Sequence, residues 1–301
     1  MNLKLNKNRT CSTLATILAL LFSGISFAKP ASPPTIPILE IRSVSQTIAA
    51  SGDPAEVYYP DPAGSAAGYR FPVVVYLQGA NVDKQYYSQF AQQLSSYGFI
   101  VVTPNHPGLF TSTMQLIEAF DHLKLEDIDP NSPFYGIVDT STLVASGHSM
   151  GGAAALGSLN NFCLGCAPGE VFVRPAELKA VVVTAGNTGP VVLDNAGIPT
   201  AIVVGDQNNS QEKYYQTYAG LQQPRALIHV HGADHYGMAD VSEPPGAVVP
   251  DEVDQIIPQS ITAARFARWT GLYLRTWLYY DFFAWWQLES GGDEFVTVTT
   301  D

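Results

Sequence analysis

The strongest chemical signal in the chain is the stretch Gly-His-Ser-Met-Gly-Gly at residues 147–152, which contains the pattern G-x-S-x-G. It directly follows a β-branched run, Thr142 to Ala145, and opens an alanine-rich stretch. A sharp strand-to-helix turn strains the backbone at its central residue, and side chains two positions away on either side would collide. Gly147 and Gly151 remove those collisions. The pattern therefore predicts a nucleophile elbow with Ser149 as the nucleophile.

A serine hydroxyl becomes a good nucleophile only when a positioned base accepts its proton, and a histidine in a loop after a late strand would serve. His235 fits this role because it closes the stretch His-Gly-Ala-Asp-His, just past the apolar run Ala226 to Val230. His229 falls inside that run and His231 lies at its end, which favours structural roles for both. The sequence thus indicates His235 as the base.

The third member of such a triad is a carboxylate that follows the preceding strand and orients the imidazole. Asp206 is the only acid in the turn Gly-Asp-Gln-Asn-Asn that ends the run Thr200 to Val204. The chain order Ser149, Asp206, His235 is the order of the hydrolase elbow pattern. Asp194 is an alternative, although it precedes the strand.

Two backbone N–H groups are expected to bind the oxyanion that develops on the substrate. The first belongs to Met150, because it lies at the N-terminus of the helix that the elbow opens. The second belongs to Ala80, in the loop after the first long apolar run, where Gly79 lets the backbone turn. His148, inside the elbow, is predicted to have a local structural role.

The elements that position these residues form an alternating pattern of strands and helices. Stretches such as Tyr86 to Tyr97 and Gly151 to Leu159 read as helices, and Glu56 to Tyr59 could add an antiparallel edge strand. Continuously apolar strands are normally covered on both faces. The pattern therefore predicts an α/β fold with a mostly parallel central sheet, helices on both faces and no large lid domain. Six short apolar runs supply its strands: Phe71 to Leu77, Phe99 to Thr103, Thr142 to Ala145, Leu178 to Thr184, Thr200 to Val204 and Ala226 to Val230.

Composition excludes two broad classes of protein. Hydrophobic residues make up 46% of the 301 residues, which is enough for a sizeable core and excludes intrinsic disorder. The formal net charge of −12 gives nothing that favours a phosphate backbone, so nucleic acid is not an expected partner. Cys163 and Cys166 lack further cysteines to complete a zinc site, and a local disulfide is expected. No metal is predicted.

The first residues read as a targeting segment. Lys4, Lys7 and Arg9 precede an apolar run, Leu14 to Phe22, and small residues follow near Ala28. This pattern is typical of a secretory signal peptide at residues 1–28. A proline- and serine-rich leader would follow at 29–37 and a single catalytic domain at 38–301. Because of the signal peptide, the protein is expected to be exported to the periplasm or secreted.

Four segments resemble the α/β-hydrolase superfamily, and more closely its compact secreted esterases: the dienelactone-hydrolase-like, platelet-activating-factor-acetylhydrolase-like, chlorophyllase-like and cutinase or polyester-hydrolase-like groups. The segments are Phe71 to Ala80, Tyr97 to Gly108, Val138 to Gly152 and Gly232 to His235. The resemblance implies ester hydrolysis through an acyl-serine intermediate without a cofactor. The expected substrates are small-molecule or polymeric esters, and the protein is expected to act as a monomer.

The chain departs from these relatives in two places. Relatives usually carry histidine or proline before the oxyanion-loop glycine, where this chain has Gln78. They also tend to place the acid three residues after the turn glycine, and that position is Asn208 here, which leaves Asp206, Asp194 and Asn208 open as the third member. An asparagine could orient a histidine but would stabilise its cation less well. A second hypothesis is therefore a hydrolase-fold binding protein with a degenerate triad.

A third reading is an esterase that acts on lipids. The segment Gln259 to Leu288 carries aromatic residues at near-helical spacing, and such a stripe could contact a membrane. More often it is the face by which a terminal helix packs on a sheet. Its charged residues argue against spanning a bilayer. Membrane contact is thus possible but not predicted. The aromatic residues are Phe266, Trp269, Tyr273, Trp277, Tyr280 and Trp285.

Overall fold

Short apolar runs form the centre of a ten-stranded sheet in this computed structural model, which describes residues 38–63, 66–106, 111–248 and 253–301. In chain order the strands are β1 (Ile41–Thr47), β2 (Pro54–Pro60), β3 (Phe71–Leu77), β4 (Ile100–Pro104), β5 (Val138–His148), β6 (Leu178–Thr184), β7 (Thr200–Gly205), β8 (Arg225–Val230), β9 (Gly292–Asp293) and β10 (Val296–Thr300). The helices are α1 (Ser88–Ser96), α2 (Gln115–Glu126), α3 (Met150–Gly157), α4 (Gln211–Gly220), α5 (Gln259–Leu278) and α6 (Phe282–Glu289), with short 3₁₀ turns at Lys84–Tyr87 and Ser158–Asn160.

The spatial order of the strands is β1-β2-β4-β3-β5-β6-β7-β8-β10-β9. From β4 to β8 all neighbours pair in parallel, while β1, β2, β9 and β10 pair antiparallel at the two sides. Each of the six predicted apolar runs lies in one of the parallel strands, except that Phe99 directly precedes β4. The predicted α/β fold, with a mostly parallel sheet and helices on both faces, is confirmed.

Alternate residues of each central strand feed two separate cores, one on each face of the sheet. In β3, Val74 and Tyr76 belong to the core that contains buried residues of α1 and α5, whereas Val73, Val75 and Leu77 belong to the core that contains buried residues of α2, α3 and α4. Burial on both faces explains why these strands read as unbroken apolar runs rather than as alternating patterns. The parallel strands also bring all their carboxyl ends to one edge of the sheet.

The sides of the sheet extend further than the sequence indicated. The stretch Glu56 to Tyr59 lies in β2 as an antiparallel strand, but it is not an edge, because β1 pairs with its outer side. At the other side, β10 pairs with β8 and carries β9. Between Ala185 and Pro199 the chain forms neither helix nor strand, which agrees with the prediction of no large lid.

The aromatic C-terminal segment forms two helices rather than one. Phe266, Trp269 and Tyr273 of α5 are buried against the sheet, as the packing interpretation predicted, whereas Trp277, Tyr280 and Trp285 are exposed. None of the helices in the described part of the chain is long and apolar enough to cross a membrane.

The Cys163 and Cys166 sulfurs lie at bonding distance, in agreement with the predicted local disulfide. Their loop pairs with the segment that precedes α2, since Thr113 donates its N–H to the Leu164 carbonyl at 2.9 Å. The predicted signal peptide at 1–28 and the leader at 29–37 lie outside the described residues.

Candidate active site

The turn between β5 and α3 has the geometry of a nucleophile elbow. Ser149 adopts φ 51° and ψ −112°, a strained conformation for a residue with a side chain. A Cβ added to Gly147 would lie 2.6 Å from the Gly151 carbonyl carbon, and one added to Gly151 would clash with the Leu77 carbonyl oxygen. The predicted need for glycine at both positions thus has a direct steric cause.

His235 lies beside Ser149, in the loop that follows β8. Its Nε2 is 3.0 Å from the Ser149 Oγ. The imidazole is 6% exposed and packs against the rings of His148 and Tyr236, with centroids 4.8 and 5.0 Å away. The structure therefore brings together the two residues that the sequence selected as nucleophile and base.

The side chain that faces the other imidazole nitrogen is Asn208, in the loop after β7. Its Nδ2 lies 2.9 Å from the His235 Nδ1, while its Oδ1 accepts the Ser210 N–H at 3.1 Å. Asn208 is 2% exposed, so both ends of its amide are used inside the protein. A neutral amide thus occupies the position in which a hydrolase triad normally holds a carboxylate.

Asp206 does not contact His235, and its predicted role as the orienting acid is corrected. Its Oδ1 accepts the Gly232 N–H at 2.7 Å and the Gln207 side-chain amide at 2.9 Å. The carboxylate therefore ties the loop after β7 to the loop after β8. Asp194 lies elsewhere: its backbone contacts Asn160 and Arg174.

Close backbone packing holds these two loops in register. A Cβ on Gly205 would overlap the Ala233 carbonyl and lie 2.8 Å from the Asp234 carbonyl oxygen. The Gln207 N–H also donates to the Ala233 carbonyl at 2.9 Å. Asn208 and His235 therefore meet because their loops touch through main chain, with a glycine at the contact.

This geometry predicts that Asp206→Asn retains most of the activity that depends on Ser149, within about threefold of the unchanged protein, because an amide oxygen can still accept the Gly232 N–H. A fall in the melting temperature is expected without a change in the pH profile. Steady-state assays and thermal denaturation of the two proteins would check this. A loss of activity beyond about 100-fold in a folded variant would return Asp206 to the catalytic site.

Burial lowers the pKa of both histidines near Ser149. It lowers the pKa of the His235 imidazole from 6.5 to about 4. Burial, followed by the proximity of His235, holds the pKa of His148 well below its ordinary range. Both imidazoles are therefore neutral at pH 7, so each carries one proton, and the hydrogen-bond partners decide which nitrogen holds it.

In the observed arrangement, the Asn208 amide fixes an unusual tautomer of His235. Because Oδ1 accepts from Ser210, Nδ2 donates to the His235 Nδ1, which must then be unprotonated. The proton of the neutral ring is on Nε2, where it is donated to the Ser149 Oγ. A general base needs the opposite tautomer, with a free lone pair on Nε2.

The two predicted oxyanion donors lie at the start of α3 and in the loop after β3. Met150 is the first residue of α3, so its N–H has no carbonyl partner inside the helix. Ala80 follows Gly79 in the loop after β3, and both residues are buried. A Cβ on Gly79 would lie 2.5 Å from the His148 Nδ1. Glycine is needed here because the His148 ring occupies the space of a side chain.

Sequence reasoning gave Tyr87 no part in holding the site together. Its hydroxyl accepts the Gly79 N–H at 2.9 Å and lies 3.0 Å from the His148 Nδ1. The His148 Nε2 lies 3.0 Å from the His235 carbonyl oxygen. The contact between Tyr87 and His148 joins residues 61 positions apart, and no local pattern in the sequence indicates it.

The model of the chlorophyllase family matches residues 38–167, which include the loop after β3 and the whole elbow. The match to this family and the α/β architecture of the chain are consistent with each other. The match covers less than half of the chain, and the observed α/β architecture is consistent with the α/β-hydrolase superfamily. A search of curated proteins found no significant match.

The match suggests a hydrolase of the esterase type, as the resemblance in the sequence implied. The matched segment ends before β6, so it contains Ser149 but neither Asn208 nor His235. Within the described residues, no group of three or more histidine, cysteine, aspartate or glutamate side chains could hold a metal ion.

Proposed function

We propose that this α/β-hydrolase cleaves carboxylic esters through an acyl-serine intermediate, with Ser149 as nucleophile and His235 as general acid and base. The observation that carries the proposal is the 3.0 Å contact between the Ser149 Oγ and the His235 Nε2, at a strained elbow that opens a helix. Strain at such a position persists only where the surrounding structure fixes it, which is common at active sites.

In the proposed reaction, the His235 Nε2 takes the Ser149 proton while Oγ forms a bond to the ester carbonyl carbon. The carbonyl π electrons move to oxygen, and the N–H groups of Met150 and Ala80 bind the resulting oxyanion. Collapse of this intermediate breaks the bond to the alcohol oxygen, which receives the proton from His235. Water then attacks the acyl-serine with His235 again as base, which releases the acid and restores Ser149.

The Asn208 amide must rotate for this reaction to begin. After a half-turn, Oδ1 faces His235 and accepts a proton on Nδ1, so that Nε2 is free to act as a base. The rotation removes the acceptor of the Ser210 N–H, which costs about 1 kcal/mol or more in a buried site. The competent tautomer is therefore a minor state, and the enzyme is expected to be slow for its class.

Small or exposed esters, including polymeric ones, suit a site without a large lid. We also propose that the protein is exported, with cleavage near Ala28, because the basic, apolar and small-residue regions follow in the order of a signal peptide. Action as a monomer without nucleic-acid partners agrees with the acidic composition. N-terminal sequencing of the protein recovered outside the cytoplasm would test the cleavage position.

The first test is hydrolysis of p-nitrophenyl esters from acetate to palmitate, combined with fluorophosphonate labelling. Turnover above the uncatalysed rate is expected, with one covalent label that peptide mapping locates on Ser149. The chain-length optimum would separate short-ester, polyester-like and lipase-like activities. A folded protein that neither hydrolyses any member of the series nor takes the label contradicts the proposal.

A binding function is the second candidate, and the orientation of the Asn208 amide favours it. An Nδ2 group that donates to His235 stabilises the tautomer that cannot deprotonate Ser149. On this view the site at the elbow would hold an ester or acid without cleaving it. Binding of the palmitate ester without turnover, in a protein that fluorophosphonate leaves unlabelled, would select this candidate.

The lipid-acting alternative gains no support from the exposed aromatic residues. The C-terminal end of α5 is bound to the turn before β4, since Arg275 donates to the Tyr97 carbonyl at 2.8 Å. That turn lies at the amino end of the parallel strands, whereas Ser149 follows the carboxyl end of β5. A membrane bound there would lie at the opposite end of the sheet from the serine.

A further inference from the structure

We propose that Tyr87 and His148 are positioning residues that lock the oxyanion loop to the loop of the general base. The inference rests on the proposed function, because it assigns these residues a role in the same reaction. It starts from three consecutive hydrogen bonds, all of them buried, that run from Gly79 through Tyr87 and His148 to the main chain of His235.

These three hydrogen bonds form a relay, and the direction of each bond follows from the last acceptor, the His235 carbonyl. The His235 carbonyl can only accept, so the His148 Nε2 carries a proton and donates it. Since burial keeps His148 neutral, its Nδ1 has no proton and accepts from the Tyr87 hydroxyl. Burial also raises the pKa of Tyr87 well above its usual range, so this hydroxyl keeps its proton. Its oxygen in turn accepts the Gly79 N–H.

The relay joins the loop of the proposed second oxyanion donor directly to the main chain of the general base. Gly79 directly precedes Ala80, whose N–H is the proposed second oxyanion donor. The other end is the carbonyl of His235, whose ring transfers the proton. Because each bond polarises the next in a buried chain, the relay resists independent movement of its two ends. An oxyanion donor displaced by about 1 Å can cost 100-fold in rate.

The side chains around the relay are packed tightly enough that a shift at one end would displace the other. Tyr87 is 1% exposed and His148 is fully buried. The space beside Gly79 is already filled by the His148 ring, so the loop cannot approach the relay any further. The His148 ring also packs on both His235 and Tyr236.

Tyr87 is anchored independently of its hydroxyl, which makes the proposal testable. Asp240 caps the helix that begins next to Tyr87, with its carboxylate accepting the N–H groups of Ser88 and Gln89 at 3.1 and 3.0 Å. The Asp240 N–H donates to the Tyr86 carbonyl at 2.6 Å. Tyr87→Phe should therefore remove one hydroxyl and leave the ring in place.

The experiment compares Tyr87→Phe with Tyr214→Phe, a matched control. Tyr214 is also fully buried, and its hydroxyl donates to the Ala185 carbonyl at 3.1 Å, outside the relay. For p-nitrophenyl acetate, Tyr87→Phe is expected to lower kcat by about 10- to 100-fold with little change in KM. Affinity for a boronic acid, which binds serine as a tetrahedral anion, should fall in the same proportion, while Tyr214→Phe keeps both values.

A double variant tests whether the relay acts as a unit. His148→Phe alone, which keeps an aromatic ring but removes both nitrogens, should lower kcat to a similar extent. Adding it to Tyr87→Phe should cost far less than the product of the two single effects, because one broken link already frees the loop. Fully multiplicative losses would show two separate contributions and contradict the relay.

Histidine nitrogen chemical shifts give a readout that does not depend on turnover. The relay requires His148 as a neutral Nε2–H tautomer at pH 7, and Tyr87→Phe should change the shift of its Nδ1. An Nδ1–H tautomer, or a Tyr87→Phe protein with the original kcat and boronate affinity, would overturn the proposal. If the unchanged protein neither cleaves esters nor binds boronate, the proposed function fails, and the tautomer of His148 alone decides the relay.

Discussion

Ser149→Ala is expected to lower kcat for p-nitrophenyl acetate by about 10³- to 10⁶-fold, to the level of residual catalysis by binding and oxyanion donors. The loss follows from removing the only atom that forms the acyl bond in the proposed reaction. The lower end of the range applies if the resting tautomer of His235 already restricts the unchanged enzyme. Steady-state kinetics and fluorophosphonate labelling of the two proteins measure the effect.

The substitution should leave the fold intact. The backbone at position 149 is strained for any residue with a Cβ, and alanine adds no strain beyond that of serine. Ser158→Ala is a matched control, because Ser158 is fully buried just after the same helix and its hydroxyl donates to the Ala155 carbonyl. Retained turnover in Ser149→Ala, or an equal loss in Ser158→Ala, would refute Ser149 as the nucleophile.

The elbow and the central strands could be predicted from sequence because their signals are local. A glycine two residues on each side of Ser149 answers a steric demand made within one turn. Strands buried on both faces produce continuous apolar runs, which stand out from the amphipathic helices between them. The antiparallel strands were harder to find. β1 has the sequence Ile-Arg-Ser-Val-Ser-Gln-Thr and is largely exposed, so it has little apolar pattern.

β10 did carry a signal that could have been used. Its valines at 296 and 298 are buried and alternate with exposed threonines, which is the period of a half-buried strand. The aromatic pattern before it predicted a helical C-terminal region, and no strand was predicted after it. A five-residue pattern is also short for a strand prediction, and only pairing with β8 makes it part of the sheet.

The third residue of the site could not be chosen from sequence because two side chains of the loop after β7, Asp206 and Asn208, compete for it. Asp206 is the only acid, which favoured it, but its N–H pairs with the Val230 carbonyl, and its side chain reaches Gly232. Two residues later the turn brings Asn208 to the imidazole. The path of the loop, set by the contact of Gly205 with the neighbouring loop, decides between them.

Asn208→Asp is the change expected to increase activity, by about 10- to 10³-fold in kcat/KM. A carboxylate has two acceptor oxygens, so one can keep the Ser210 N–H while the other accepts a proton from the His235 Nδ1. Nε2 is then free to deprotonate Ser149 without any rotation of the side chain. The added negative charge also stabilises the imidazolium that forms in the transition state.

The same variant should move the acid limb of the pH profile. His235 acts as a base only when neutral, so activity falls as the pH drops through its pKa. In the unchanged enzyme burial places that pKa at about 4, so kcat/KM should hold down to about pH 5. An adjacent carboxylate favours the charged imidazole and raises its pKa, so the acid limb of Asn208→Asp should move to higher pH.

Asn208→Ala separates orientation from charge. It removes the amide that donates to Nδ1 but supplies no carboxylate, so His235 can take either tautomer. Activity is therefore expected between that of the asparagine and aspartate forms if the amide holds the ring in the unproductive state. A lower activity in both variants than in the unchanged enzyme would mean that Asn208 already presents its oxygen to His235 during turnover, and that the chain uses a serine, histidine and asparagine triad without penalty.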